Sequence, residues 1–268
     1  WERGYGELEW RGLAGERIMP WYFAASNGRE TQGCGVRTAP AAFCFWQVDA
    51  AGVSLWLDVR NGGMGVRLGE RELALAELAM VRSRQAETPL VTCRQLCRAL
   101  SRGVRTLPSP VYGWNTWYYT YGKDMSAEGV LRDARFLADL VSPQNTNRPF
   151  LIIDEGWGPA PDGAGPWDRG GSRFPDMAAL AHGISRTGVR PGIWIRPLFT
   201  TEKLPESWRL MPNRYQRPIP AAFLVMDPSM PEVLDHVRKS VRTAAGWGYE
   251  LIKHDYTTYD ILGRWGFQ

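Results

Sequence analysis

Apolar and polar positions follow two different rhythms along this chain. Between residues 21 and 81, short apolar runs are broken by turn residues about every 8–12 positions, the spacing of consecutive antiparallel strands. In "AAFCFWQVDAAGVSLWLDVRNGGMGVRL" this predicts strands over 41–48, 53–59 and 64–68, with turns at 49–52 and 61–63. Such a series reads as one layer of a β-sandwich. Residues 87–103 then adopt a helical period, with Leu90, Cys93, Cys97 and Leu100 as the apolar stripe. The Pro-punctuated "RTLPSPVYG" that follows reads as a linker.

From residue 111 strands alternate with helices. Strands are predicted over 111–118, 150–154, 190–196 and 251–255, with a further extended piece over 222–227. Helices are predicted over 126–141, opened by Ser126 with Glu128 in its first turn, over 176–187, stopped by Gly188, and over 231–246, with Pro231 in its first turn. Alternation of this kind implies βαβ units and a parallel sheet. A whole (β/α)8 barrel takes about 250 residues, more than the second part of this chain provides. The pattern therefore fits either an open doubly wound sheet or a barrel cut near its middle. No G-x-G-x-x-G follows the first strand and no P-loop occurs, so nucleotide-binding versions of the open sheet lack support.

In parallel α/β folds, functional residues gather at the carboxyl ends of strands. Here those ends read "YGWNTW", "LIIDEGWG", "GIWIRPLF", "FLVMDPS" and "LIKHDY", each delivering charge or aromatics. One Asp closing a strand is ordinarily a cap; a run of such ends indicates a shared site. Alternate residues of a strand share a face. Lys253 and Asp255 therefore point together with Leu251, whereas Ile252 and His254 point away, which makes His254 structural. By the same parity Trp194 and Arg196 share a face with Gly192. A cationic Lys253 beside Asp255 favours the ionised carboxylate, which suits a nucleophile better than a proton donor.

Composition narrows the substrate. Thirteen tryptophans are present, and Trp114, Trp117, Trp157 and Trp194 fall at or near strand ends. Indole stacks on the apolar face of a hexose while carboxylates, Lys and Arg bond its hydroxyls, so a carbohydrate ligand is expected. The Gly/Pro-rich loop 156–172 reads as lining such a site. Net charge is +4 from scattered arginines, without the basic stripe and interleaved aromatics of a nucleic-acid binder. No apolar run reaches the roughly 18 residues of a membrane span. The four cysteines, Cys34, Cys44, Cys93 and Cys97, match no zinc spacing and read as plain buried thiols. No motif calls for a metal or organic cofactor. Targeting is not legible, and a cytoplasmic setting is preferred.

The motifs "YGWNTW", "IIDEGWG", "GIWIRP", "MDPSMPEV" and "YELIKHDY" occur in an order and spacing that resemble the retaining α-galactosidase (melibiase-type) clan, in the family with a β-sandwich before its (β/α)8 barrel. The resemblance covers residues 112–256. It implies an α/β fold in which a β-sandwich-like domain (1–105) precedes an incomplete TIM barrel (106–268), cut after about strand four. It implies that Asp255 of Lys253-x-Asp255 is the nucleophile and that Lys253 binds sugar hydroxyls. Asp154 and Glu155 would grip the sugar through its 4- and 6-hydroxyls, with Glu155 one methylene longer than the family's Asp. Trp157, Trp114 and Trp194 with Arg196 would form the walls. The second carboxylate of a retaining glycosidase is expected beyond Gln268, with Asp227 and Asp260 as in-chain candidates. A sugar-binding remnant and a raffinose-synthase-like galactosyl transferase are the competing readings. An open sheet edge implies a partner, a swap or a further segment, a homo-oligomer among them.

Overall fold

The computed structural model describes residues 17–49, 52–59, 67–101, 103, 105, 107–210 and 219–262. The chain divides into two compact units, Trp1–Thr106 and Leu107–Gln268.

The first unit runs through β1 (Arg17–Pro20), β2 (Tyr22–Ser26), β3 (Thr31–Val36), β4 (Phe43–Asp49), β5 (Gly52–Asp58), β6 (Leu78–Arg82) and helix α1 (Pro89–Leu100). Two antiparallel three-stranded sheets result, β1-β4-β5 and β2-β3-β6. Phe23, Cys34 and Val36 from one sheet share an apolar cluster with Cys44, Trp46, Val48, Leu55 and Leu57 from the other. The sheets therefore pack face to face as a sandwich. The expected turn at 61–63 and most of the strand at 64–68 lie outside the described residues.

Helix α1 buries Leu100 of its expected apolar stripe but not Leu90 or Cys97. Thr92, Leu96 and Leu100 are buried, whereas Leu90 is 70% exposed. Cys97 is likewise exposed and Cys93 half-buried, so only Cys44 among the thiols is fully buried. The reason lies in β3. A Cβ on Gly33 would come within 2.9 Å of Leu96, and one on Gly35 within 2.7 Å of Leu100. Two missing side chains thus open the groove that α1 fills, and complete burial of Leu96 stabilises the contact by roughly 1.5–3 kcal/mol.

The second unit comprises β7 (Gly113–Asn115), α2 (Trp117–Thr120), α3 (Ala127–Asp139), β8 (Phe150–Ile153), α4 (Met177–Arg186), β9 (Arg190–Ile195), β10 (Phe199–Thr200), β11 (Leu224–Val225), α5 (Pro231–Gly246), β12 (Leu251–His254) and α6 (Thr257–Leu262). Strands β7, β8, β9 and β12 form a parallel sheet in chain order, connected through helices, as part of a (β/α)8 barrel is. Ser126 and Asp176 cap α3 and α4 by accepting from Gly129 N and Ala179 N. Val130, Ala134, Leu137, Leu180, Ala181 and Ile184 of these helices, with Ala244 of α5, pack on Leu151, Ile153, Ile193 and Ile195 of the strands.

Three elements differ from expectation. The strand over 111–118 lasts only for Gly113–Asn115, because Asn115 Oδ1 accepts from Trp117 N and Thr116 O from Thr120 N, which bends the chain into α2. The extended piece 222–227 is a two-residue antiparallel ladder with β10 rather than a barrel strand. After the last expected strand, a helix stands where none was expected, α6 over Thr257–Leu262.

Gly113 is the tightest point of the sheet. Its φ is +151°, and a Cβ there would lie 1.9 Å from Phe150 O. Gly113→Ala is expected to cost at least about 3 kcal/mol, lowering the urea midpoint at unchanged m-value. A change below about 0.5 kcal/mol would refute this account of the β7–β8 contact.

Candidate functional site

The inward face of the parallel sheet is fixed by register. Lys253 pairs with Trp194, Gly192 with both Leu251 and Ile152, and Ile152 with Asn115. Continuing that face past the strand ends brings Asp154, Arg196 and Asp255 to the same edge. Gly192 keeps the row open below Trp194; its Cβ would meet Ile152 Cγ1 at 3.0 Å.

At that edge Lys253 Nζ donates to Asp154 Oδ2 at 2.8 Å and lies 3.4 Å from Asp255 Oδ2, so one ammonium bridges two carboxylates. Asn115 Nδ2 donates to the same Asp154 oxygen at 2.6 Å, Glu155 N to the other at 2.9 Å, and the Asp154 amide donates to Thr116 Oγ1. The Asp154 side chain is 4% exposed and that of Asp255 37%. Asp154 is thus locked in place, whereas Asp255 presents its carboxylate outward. Trp194 Nε1 donates to Asp255 Oδ2 at 2.9 Å, and Tyr256 N to Oδ1 at 2.8 Å.

Burial pushes the Asp255 carboxyl up, but the Trp194 and Tyr256 hydrogen bonds and the Lys253 ammonium outweigh it and hold it below the usual range. Burial likewise opposes the charge on Lys253, yet Asp154 and Asp255 raise it above an ordinary lysine. Glu155 is shifted the other way. Burial raises its carboxyl, the charges of Asp154, Asp162 and Asp255 add to this, and Arg196 opposes only in part. A cleft of about 410 Å³ opens beside Glu155, lined also by Tyr121, Lys123, Pro159, Asp162 and Arg173.

Lys253, Asp255, Asp154, Glu155 and Trp194 are thus brought together. Trp114 is not. It pairs with Leu151 on the outward face and packs against Phe136 of α3, ring centroids 5.8 Å apart. Trp157 is fully buried among Trp167 and Trp247, its Nε1 donating to Trp194 O at 2.8 Å, so it braces the wall instead of lining it. The loop 156–172 lines the cleft beside Glu155 through Gly156 and Gly158–Gly163, while its Trp157, Ala164 and Trp167 are buried. Trp194 is 1% exposed and acts here as a hydrogen-bond donor rather than an open stacking surface.

Arg196 also has another partner. Its guanidinium grips both oxygens of Asp260 on α6 and packs over the rings of Phe199 and Tyr256. Asp227, the other acidic candidate, accepts from Ser229 N in a turn. His254 is exposed, with Thr257 Oγ1 3.0 Å from its Nε2. Asn115 was missed from sequence, although parity with Gly113 places it on the inward face. Among the described residues no group of three or more His, Cys, Asp or Glu side chains could hold a metal ion, and no helix is long and apolar enough to cross a membrane.

No protein-family model and no curated protein matches the chain in sequence. Solved structures do match in shape. The α-galactosidase TtGalA from Thermus thermophilus, solved with p-nitrophenyl α-D-galactopyranoside, aligns with a TM-score of 0.60 at 20% identity over 91% of this chain and 46% of its own. The GH36 α-galactosidase AgaA A355E from Geobacillus stearothermophilus, solved with 1-deoxygalactonojirimycin, gives 0.56 at 21% identity over 87% and 34%. The galactosidase domain of the α-galactosidase-sucrose kinase AgaSK gives 0.51 at 18% identity over 95% and 41%. The chain spans less than half the length of each. It has the fold of the GH36 α-galactosidases, a β-sandwich unit joined to an incomplete (β/α)8 barrel.

Proposed function

We propose that this chain is part of a retaining glycoside hydrolase acting on terminal α-galactosides through a glycosyl-Asp255 intermediate. The observation that carries the reading is the Lys253-bridged pair of carboxylates at the carboxyl edge of the sheet. One of them, Asp255, is held below the usual carboxylate range by its hydrogen bonds and Lys253, and its side chain is 37% exposed. An Asp255 oxygen attacks the anomeric carbon as the bond to the leaving group breaks. The leaving oxygen takes its proton from a second carboxyl outside the described residues, and that group then activates the water that hydrolyses the ester. Lys253 and Asp154 bind ring hydroxyls. Glu155, whose carboxyl is raised by burial and by the neighbouring carboxylates, lies beside Asp154 to bond a sugar hydroxyl. The α-galactoside bound in TtGalA supports the choice of substrate.

The test is hydrolysis of p-nitrophenyl α-galactopyranoside by the complete protein, with the first-formed sugar followed by proton NMR. α-Galactose is expected first. β-Galactose would overturn the retaining mechanism, and binding of galactose without release of nitrophenol would favour a sugar-binding role. A galactosylated product with sucrose as acceptor would identify a transferase.

A further inference from the structure

Arg196 stands at the end of β9 beside the proposed nucleophile, yet its charge is spent on another residue of the chain. Its Nε lies 3.0 and 2.9 Å from the two Asp260 oxygens, and Nη2 reaches Oδ1 as well. The two side chains are 12% and 1% exposed, so a ligand reaches neither easily. The guanidinium carbon sits 3.9 Å from the Phe199 ring centre and 4.6 Å from that of Tyr256, within cation–π reach of both rings.

Several contacts of this pair lead back to Asp255. Tyr256 takes the left-handed conformation, φ +57°, which a non-glycine residue adopts only when its surroundings hold it there. In that conformation its amide reaches back to Asp255 Oδ1 at 2.8 Å. Asp260 N donates to Tyr256 O at 2.8 Å, and Asp255 N to Ile195 O at 3.0 Å, one residue before Arg196. The turn between β12 and α6 is therefore clamped at three points: the last sheet bond, the ring under the guanidinium, and the helix docked through Asp260.

We infer that Arg196 and Asp260 are positioning residues, a buried ion pair that fixes the Tyr256 turn and so aims the Asp255 carboxylate. The inference goes beyond the glycosidase reading and uses it only for the rate measurement. The titratable and charged groups around Asp255 are Lys253 and His254 on its own strand, Asp154 and Glu155 after β8, Arg196 after β9 and Asp260 on α6. Of these, Lys253 and the Tyr256 and Trp194 hydrogen bonds act directly on its carboxylate.

Two variants separate positioning from mere stability. R196M/D260L replaces the ion pair with apolar side chains, a change often neutral for folding. D260E keeps the charge and displaces it by one methylene, and carries the test alone if the double variant does not fold. In each, the Asp255 carboxyl is titrated by carbon-13 NMR, assigned by its loss in Asp255→Asn. With the Tyr256 bond lost, it should titrate about one pH unit higher than in the unaltered protein. In the complete protein kcat for an aryl α-galactoside should fall about 100-fold, with KM within about threefold. An Asp255 titration unchanged in every folded variant would overturn the inference. A shifted titration in a protein without galactosidase activity would uphold the positioning role and sink the glycosidase reading instead.

Discussion

Replacing Asp255 by Asn in the complete protein is expected to lower kcat/KM for an aryl α-galactoside by roughly 10⁴-fold or more, about 5.5 kcal/mol of transition-state stabilisation. An amide has nearly the shape of a carboxylate but neither its charge nor its nucleophilicity. Asp255 accepts from Tyr256 N on one oxygen and from Trp194 Nε1 on the other. Asn can satisfy only one of these donors and turns its own N–H groups toward the second. Because the side chain is 37% exposed, water relieves much of that mismatch, and stability should change by no more than about 1 kcal/mol. Binding of galactose should persist, since Lys253 and Asp154 remain paired. Calorimetry and steady-state kinetics on the same preparation check both arms. Turnover within tenfold of the unaltered protein, a loss of only about 1.4 kcal/mol, would remove Asp255 from the nucleophile role.

Lys253→Met should produce the second largest effect, on both rate and folding. Among the described residues the ammonium is the cation bonded to Asp154, whose side chain is 4% exposed, and it also lies against Asp255. Met keeps the length of the side chain and removes the charge, leaving two nearby carboxylates without their bridge. Breaking a fully buried pair costs about 3–5 kcal/mol. Lys253 is 31% exposed and Asn115 still donates to Asp154, so solvent screening reduces the expected loss to roughly 1–3 kcal/mol. The rate should fall about 10²–10³-fold, as when one preorganised donor is removed from a reacting charge.

The pH dependence gives this prediction its sign. The folded-state carboxyl of Asp255 is depressed, so its contribution to stability is present above its unfolded value of about 3.9 and is lost as pH falls through the lower folded value. Lys253 is raised, so its contribution is complete below about pH 10 and lost only as pH climbs through the still higher folded value. Both are therefore in force at neutral pH. Without Lys253, burial of Asp255 is opposed only by the Trp194 and Tyr256 bonds, and its carboxyl moves up. The acid limb of the rate profile should move to higher pH. An acid limb at its original position would show that Lys253 does not act on the nucleophile.

Much of this arrangement is legible in the chain because it depends on local periodicity alone. A strand places residues two apart on one face whatever surrounds it, so Lys253 and Asp255 had to share a side and His254 had to leave it. The 3.6-residue period, Ser126 and Asp176 likewise mark α3 and α4 from within their own sequence. The change from turn-broken apolar runs to alternating strands and helices separated the sandwich from the partial barrel.

What the tertiary structure decided are choices between partners distant in sequence. Indole is as well suited to a sugar as to a hydrophobic core, and only the β7–β8 register, which pairs Trp114 with Leu151, turned it toward Phe136. Trp157 lies one turn beyond Asp154, where chain direction and not composition settled its burial against Trp167 and Trp247. Arg196 had a sugar or a carboxylate to choose from, and the chain brought Asp260 to it across 64 positions. The stripe of helix α1 keeps Leu100 inside, and the glycines of β3 make room beside it for Leu96 instead of Leu90. Sequence by itself determined which residues share a face, because that follows from backbone geometry. Only the folded chain decided what each face meets, because packing and desolvation depend on neighbours that periodicity does not specify.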